Sequence, residues 1–403
     1  MIGATIFVVS GVIIGTAGPS SFFSFLIAGA ATLIIAFCFT KLVTAFPESR
    51  GGIYAYPKQV CEKYGNYLSF IAGWSLWGGQ GLGPAIVGLS FAHYLLWLFD
   101  IMQIPVSGEK WIAILIILIL GILNCRGLDF SRSIQTITTI SIIACLLYFI
   151  GAGSFHIDSS NLVPFLPYGT WGLLRASAMA SLTYGAWTTI PSAAGEFENA
   201  KRDVPLSMIV SIVTCSILFA GVIFVQSGLS HYSVLATAPA PLAWAAQKIT
   251  THAAVLIAVA GLFATVSTLN GLIFTSSQLL SSMGDDSLPS LLNQRHTLFN
   301  TPYIAILCTI AGQIILVLSG LFLVIVEIIV FATTLSWIIS CIAVLALQKK
   351  NGTSWRGYML PITGLSFCVL LCSTLDPPSI ALGLLWVGVG LVLYKGFNRK
   401  KSI

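Results

Sequence analysis

Residues 183–191 read TYGAWTTIP and lie in the middle of an apolar run long enough to cross a bilayer. A glycine, three threonines and a proline are unusual at the centre of a membrane helix. A break in such a helix leaves backbone N–H and C=O groups unpaired, and each costs several kcal/mol unless protein, water or a ligand satisfies it. The stretch therefore predicts one of two structures: a helix interrupted at a binding site, or a helix kinked at Pro191 whose threonines bond back to the preceding turn.

The composition of the chain indicates that it lies in a lipid bilayer. Of its 403 residues, 57% are hydrophobic and 8% are charged, and the mean hydropathy is +0.94, far from the values of soluble domains. Most of its apolar runs reach the length of about 20 residues that crosses about 30 Å of hydrocarbon. The runs are 2–17, 20–45, 67–99, 111–125, 134–152, 172–194, 205–228, 251–281, 302–322, 323–347, 357–374 and 378–396. We predict an all-α integral membrane protein of about twelve transmembrane helices in a single domain, 1–403.

The positions of lysine and arginine predict the orientation, because moving these residues across a membrane is disfavoured. Of the 19 basic residues, all but Lys110, Arg175 and Lys248 fall in alternate loops or in the C-terminal tail. We therefore expect a multi-pass protein of the cell (inner) membrane with a cytoplasmic tail at 397–403. The net charge of +6 follows from this topology, so no nucleic-acid partner is expected.

Neither the nine cysteines nor the five histidines predict a metal site or a cofactor. The cysteines are scattered, Cys368 and Cys372 are one helical turn apart, and no CxxC motif occurs, which is typical of small apolar packing residues.

A polytopic membrane enzyme remains an alternative, and it would need polar groups gathered at one membrane face. The predicted cytoplasmic loops offer such groups without metal-ligand spacing: Glu196, Glu198, Asp203, Asp285, Asp286 and His296.

The chain begins abruptly in apolar residues, MIGATIF (1–7), without the basic segment and cleavage site of a signal peptide. The first run, 2–17, is short for a membrane span. This pattern is that of a chain that starts inside a helix, so we expect the first helix to be truncated. A non-transporting remnant is therefore a further alternative.

Four stretches resemble motifs of one transporter family. FPESRGGIYAYPKQVCEKYGNYLSFIAGW (46–74) resembles the loop between helices two and three of the amino acid–polyamine–organocation permeases, and AAGEFENAKRDVP (193–205) resembles their signature after helix six. STLNGLIFTSSQLLSSMGDDSLPSLLNQRHTLFNTP (267–302) is similar to their helix eight and the following loop, and MIGATIF to their glycine-rich break of helix one. The chain is identified as a member of this superfamily, with the basic amino acid/polyamine antiporter branch as one placement.

Several positions depart from the family pattern. Asn199-Ala200 replaces the Asn-Pro of the signature, and Ser277-Gln278 replaces the common Ser-Arg of helix eight. Thr5 replaces the third small residue of the helix-one break, and Thr188 stands where relatives often carry glutamate. The loss of that acid weakens the case for a dibasic substrate, so neutral or aromatic amino acids remain open.

The resemblance implies a fold of two inverted five-helix repeats, at 1–152 and 172–347, followed by two accessory helices at 357–396. Helices one and six are then discontinuous, and their exposed backbone groups hold an amino acid or amine substrate during alternating access. Exposed N–H groups suit a carboxylate, and free carbonyls suit an ammonium. Carried onto this chain, the carboxylate is held at Gly3, Ala4 and Thr5, and the ammonium by the carbonyls of Met1, Leu182 and Gly185.

Two aromatic residues and a threonine flank the predicted break of helix six. Tyr184 and Trp187 can close over a substrate or stack on a cationic side chain, a contact worth about 0.5–2 kcal/mol. The alternative for either aromatic residue is ordinary packing. Thr188 is the third residue predicted to contact the substrate.

The sequence leaves the coupling ion open between a proton, sodium and none. Glu327 is a lone acid in apolar sequence, so it is either a proton carrier, an outer-gate acid paired with a cation such as Arg175, or a locally satisfied glutamate. Ser141 stands where proton-coupled relatives carry a lysine. Without that lysine, hydroxyl groups of run eight can bind sodium together with helix-one carbonyls: Thr265, Ser267 and Thr268. Antiport needs no ion, so exchange at constant pH without sodium is the expected activity.

Overall fold

The structure is a computed structural model that describes residues 2–46, 52–127, 132–188, 190 and 199–401. Within these ranges the regular structure is helical, without a strand. The α-helices are α1 Thr5–Ala17, α2 Ser21–Ala45, α3 Tyr56–Val60, α4 Gly65–Leu76, α5 Ala85–Ile101, α6 Glu109–Cys125, α7 Arg132–Ser154, α8 Gly169–Ala180, α9 Ala200–Leu229, α10 Tyr232–Thr237, α11 Pro241–Gln247, α12 Thr251–Asp286, α13 Tyr303–Ser319, α14 Phe322–Lys350, α15 Trp355–Ser373 and α16 Pro377–Lys401.

The helices coincide with the apolar runs of the sequence. Among the described residues, 8 helical stretches are long and apolar enough to cross a membrane. Two of these, Thr5–Ala45 and Gly65–Ile101, each include two of the α-helices defined above. Tyr303–Ser319 is a shorter apolar helix. The predicted all-α membrane fold is therefore confirmed.

A tight turn separates the first two helices. Gly18 ends α1 with φ of 68°, a conformation that residues with a side chain rarely adopt. A Cβ at this position would lie 2.4 Å from Pro167 Cγ, so the neighbouring loop also excludes a larger residue. The backbone N–H of Ser20 donates to the Phe165 carbonyl at 3.1 Å. The glycine therefore allows α2 to return beside α1.

Small residues bring α2 and α9 close together. Gly29 on α2 faces Ser216 on α9, and a Cβ on Gly29 would lie 2.1 Å from Ser216 Oγ and 3.0 Å from Ser216 Cβ. Such small-residue contacts let helix backbones approach in membranes, where dispersion contacts drive association. The α2–α9 contact is thus set by the absence of a side chain at Gly29.

Replacing Gly29 tests this packing. Gly29→Leu is expected to destabilise the protein by about 1–3 kcal/mol or more, because overpacking forces neighbouring helices apart. Thermal unfolding of the purified protein in detergent measures the effect. The matched control is Gly388→Leu, since a Cβ on Gly388 meets no atom within 4 Å. Equal unfolding temperatures for the two variants would contradict the proposed contact.

A segment of π-helix interrupts the third apolar run. Residues Trp77–Leu82 form six residues of π-helix between α4 and α5, a feature often found at functional sites. The Gln313 amide donates to the Gly81 carbonyl at 2.6 Å, and Trp77 Nε1 donates to Thr309 Oγ1 at 3.1 Å. Both partners lie on α13, so that helix satisfies polar groups of the π-helical segment.

The sixth apolar run also changes its helix type. α8 ends at Ala180, and the chain continues as a 3₁₀-helix over Ser181–Thr188. The Ser181 and Thr183 hydroxyls donate to the carbonyls of Ala178 and Ala180, both at 2.6 Å. The interruption predicted from residues 183–191 is therefore present, together with back-bonding hydroxyls. Thr189 and Pro191 lie outside the described residues, so the predicted kink at the proline stays a prediction.

Candidate substrate cavity at two interrupted helices

A cavity of about 350 Å³ lies where the start of α1, the 3₁₀-helical segment, the π-helical segment and α12 meet. Its walls carry apolar groups, backbone and uncharged polar side chains. Among the described residues that line it, none carries a charged side chain. The polar lining residues are Thr5, Gln80, Gln135, Thr139, Thr183, Ser211, Ser267, Thr268, Thr275 and Thr333.

The start of α1 forms one wall of the cavity, and the predicted carboxylate-binding residues Gly3, Ala4 and Thr5 all line it. The Ala4 N–H donates to Thr268 Oγ1 at 2.9 Å. The backbone N–H groups of Thr5 and Ile6, in the first turn of α1, have no acceptor among the described residues. A helix N-terminus carries a positive partial charge, so this wall suits an anionic group.

The 3₁₀-helical segment forms a facing wall. Leu182 and Gly185, two of the predicted ammonium-binding residues, line the cavity, whereas Met1 lies outside the described residues. A Cβ on Gly185 would meet no atom within 4 Å. The Gly185 carbonyl accepts from Gln80 Nε2 at 3.1 Å and from Thr188 Oγ1 at 2.9 Å. Carbonyl oxygens on this wall suit a cationic donor.

Gln80 is the main polar residue of the cavity that the sequence analysis did not predict. It lies in the π-helical segment, and its amide nitrogen also donates to Thr188 Oγ1 at 2.8 Å. The signal for it in the sequence is GGQGLGP (78–84), a polar residue among four glycines in an apolar run. Clustered glycines of this kind indicate irregular backbone, which a membrane tolerates where it lines a cavity.

Tyr184 and Trp187 lie away from the cavity lining. Both are fully buried. The Tyr184 hydroxyl donates to the Phe25 carbonyl at 2.8 Å, and the Trp187 ring packs edge-on against Phe39 with centroids 4.7 Å apart. Both side chains therefore pack against α2, and a gating role for either one stays a prediction.

The four hydroxyl residues considered for ion coupling are dispersed. Ser267 and Thr268 line the cavity, but the Thr265 hydroxyl is buried and donates to the Leu262 carbonyl at 2.8 Å. Ser141 is exposed on α7, while Thr139 of the same helix lines the cavity. The structure thus brings two of these four residues to the candidate substrate site.

Glu327 lies outside the cavity lining in an ion-pair cluster. Arg175 of α8 donates to Glu327 Oε1 at 2.5 Å and also to Asp376, which lies between α15 and α16. The Asp376 backbone N–H donates to Glu327 Oε2 at 3.4 Å. The Glu327 side chain is 3% exposed, and the Arg175 side chain is 31% exposed. The pairing with Arg175 considered in the sequence analysis is present, and Asp376 is a third member that it did not predict.

Of the acidic residues considered for an enzyme, Asp285 and Asp286 are hydrogen-bonded or ion-paired, and Asp203 lies in the first turn of α9. Lys58 of α3 pairs with Asp286 at the end of α12, and Asn293 bonds to Asp285. Glu196 and Glu198 lie outside the described residues. Among the described residues, no three His, Cys, Asp or Glu side chains form a group that could hold a metal ion.

A helical membrane bundle whose cavity is bounded by interrupted helices has the architecture of a secondary transporter. Comparison with known proteins identifies the family to which this chain belongs. The chain matches the amino acid permease family over residues 1–393, and it belongs to that family. Membership confirms the resemblance described above and supports a transporter instead of an enzyme.

The chain covers different shares of the length of its relatives. The chain is 30% identical to the cationic amino acid transporter 9, chloroplastic, of Arabidopsis thaliana over 73% of this chain and 54% of the plant protein. It is 26% identical to the methylthioribose transporter of Bacillus subtilis over 100% of this chain and 91% of that protein. It is also 26% identical to the branched-chain amino acid permease BcaP of Bacillus subtilis, over 100% and 90% of the two chains. The chain thus spans about half of the plant relative and most of the bacterial ones.

Proposed function

We propose that this protein transports neutral α-amino acids by alternating access and holds the substrate backbone in the cavity between α1 and the 3₁₀-helical segment. One observation carries the proposal. The start of α1 and the interrupted sixth apolar run place backbone groups of opposite partial charge beside the same cavity, the N–H groups of Ala4 and Thr5 and the carbonyl of Gly185. A zwitterionic amino acid is complementary to both ends.

The lining of the cavity favours a neutral side chain on the substrate. A substrate with a cationic side chain would carry a net charge into a low-dielectric site, and such a charge is costly without a partner. The described lining offers amide and hydroxyl groups but no carboxylate. The relatives named above carry substrates that range from cationic amino acids to branched-chain amino acids and methylthioribose, and this lining suits the uncharged ones.

The helix contacts support the proposed inverted repeats at 1–152 and 172–347. Helices in equivalent positions of the two halves contact each other: α1 with α8, α2 with α9, α5 with α12 and α6 with α13. Contacts between non-equivalent helices also occur in symmetric pairs. The last helix of the first half, α7, contacts α12 of the second half, and the last helix of the second half, α14, contacts α4 of the first half. These pairs are the ones that a two-fold axis in the membrane plane would relate. The accessory helices α15 and α16 follow the second half.

The location and coupling are part of the same proposal. The distribution of basic residues supports a cell-membrane protein with its C-terminus in the cytoplasm. The Thr268 hydroxyl, one of the candidate sodium ligands, is already an acceptor for the Ala4 N–H, and Glu327 is paired with Arg175. Both observations favour exchange that proceeds at constant pH without sodium.

Binding of substrate analogues tests the proposed clamp. The purified protein is titrated by calorimetry with leucine, with leucinamide, which lacks the carboxylate, and with 4-methylpentanoate, which lacks the ammonium. Each analogue is expected to bind about 10- to 150-fold more weakly, because a hydrogen bond to a charged group contributes about 1.5–3 kcal/mol.

Lysine and 3-methylbutylamine complete the set of ligands. Lysine tests the neutral lining and is expected to bind more weakly than leucine. The amine retains only the ammonium, so equal affinity for leucine and this amine would contradict a carboxylate site at the start of α1. A protein that binds none of the amino acids would contradict the proposal as a whole.

A further inference from the structure

Besides Thr188 of the 3₁₀-helical segment itself, two side chains from other helical segments hydrogen-bond to the backbone groups that the proposed function assigns to the substrate. Thr268 Oγ1 accepts from the Ala4 N–H at 2.9 Å, where a carboxylate oxygen would accept. Gln80 Nε2 donates to the Gly185 carbonyl at 3.1 Å, where an ammonium would donate. Each side chain therefore makes the same kind of hydrogen bond as one end of a bound amino acid.

The amide of Gln80 is well suited to this role. Its nitrogen carries two donor hydrogens, and both have acceptors on the 3₁₀-helical segment, the Gly185 carbonyl and Thr188 Oγ1 at 2.8 Å. The π-helical segment that holds Gln80 is supported from behind, because Gln313 donates to the Gly81 carbonyl at 2.6 Å. Gln80 therefore contacts the 3₁₀-helical segment from a π-helical segment that is itself hydrogen-bonded to α13.

We propose that Gln80 and Thr268 are internal substitutes for the substrate's ammonium and carboxylate. They pair with the backbone groups at the start of α1 and in the 3₁₀-helical segment when no amino acid is bound, and an incoming amino acid displaces them. This inference rests on the proposed function, because it uses the same cavity and the same backbone groups.

The substitutes are expected to support net uptake but not to be needed for exchange. Unpaired buried backbone groups are costly in a membrane protein, so the substitutes stabilise the unloaded carrier and allow it to return across the membrane. Net uptake needs this return step, whereas exchange does not. The substitutes also compete with the substrate, so the apparent affinity is lower than it would be without them.

Proteoliposomes separate the two kinds of transport. Leucine uptake is measured into vesicles without internal substrate for net uptake, and into vesicles preloaded with leucine for exchange. Gln80→Met keeps the length of the side chain and removes the donor. Net uptake is expected to fall about tenfold, while exchange stays within about twofold and its KM falls. Thr268→Val is expected to change the ratio of net uptake to exchange in the same direction.

The matched control is Gln226→Met. Gln226 is fully buried and bonds to Ser10 at 3.3 Å, but it does not line the cavity. If this variant loses activity through instability, net uptake and exchange fall together, so the ratio remains that of the wild type. Thermal unfolding of each variant shows whether it is folded.

The outcomes distinguish this inference from the proposed function. A proportional loss of net uptake and exchange in folded Gln80→Met, or unchanged net uptake, overturns the inference while wild-type transport upholds the proposed function. If the first variant does not fold, the same criteria apply to Thr268→Val. A wild-type protein that transports no amino acid overturns both.

Discussion

Gly185→Leu is expected to abolish amino acid uptake and to leave the folded protein about as stable as the wild type. A Cβ on Gly185 meets no atom within 4 Å, and the residue lines the cavity, so a leucine side chain there projects into the space that the substrate needs. The backbone carbonyl and its hydrogen bond from Gln80 are retained. The substitution therefore blocks the site without overpacking the bundle.

Uptake of labelled leucine into proteoliposomes measures this effect, with thermal unfolding measured beside it. We expect uptake to fall at least about a hundredfold, because a blocked cavity cannot hold the substrate in an occluded state. Gly388→Leu is the matched control, since a Cβ on Gly388 also meets no atom within 4 Å and lies outside the cavity. Uptake near the wild-type rate by Gly185→Leu would show that the substrate passes elsewhere.

Arg175→Met is expected to destabilise the protein more than any other single substitution in the Arg175, Glu327 and Asp376 cluster. It leaves the buried Glu327 carboxylate without its cation, and removing one partner of a buried ion pair costs about 3–5 kcal/mol. The lower end of that range applies here, because the Arg175 side chain is 31% exposed and water screens its charge.

A double-mutant cycle identifies the source of the loss. Adding Glu327→Leu to Arg175→Met removes the unpaired carboxylate, so the double variant is expected to regain most of the lost stability in thermal unfolding. Additive losses would mean that the two side chains do not act as a pair. Glu327→Gln also separates the hypotheses from the sequence: a proton carrier predicts that the pH dependence of uptake disappears, whereas a structural ion pair predicts that it persists.

The sequence was sufficient to predict the helices but not how each one is rotated. Apolar runs must pair their backbone groups internally in lipid, so run length and composition predict where α2, α9 and α12 lie. Whether Tyr184 and Trp187 face the cavity depends on the rotation of a segment that is not a regular α-helix. Both side chains point into the protein against α2, a contact made across 159 residues of sequence for Tyr184 and Phe25.

Only part of the candidate site could be predicted from the sequence. Gly3, Ala4, Thr5, Leu182 and Gly185 were assigned through the family resemblance, which places the substrate at the start of the chain and in the sixth apolar run. Gln80 and Asp376 act through contacts with distant helices, at sequence separations of 105 and 201 residues from Gly185 and Arg175. No local pattern encodes such pairings. The π-helical segment likewise depends on support from α13, which the sequence around Gln80 does not show.

The hydrogen bond from Tyr184 to the Phe25 carbonyl bears on which parts of the protein would move together during transport. It attaches the 3₁₀-helical segment to α2, whereas Gln80 attaches the same segment to the third apolar run. The first attachment does not involve the substrate, and the second competes with it. If the amino acid displaces Gln80 as proposed, its arrival releases the segment from the third apolar run while the hydrogen bond to α2 remains.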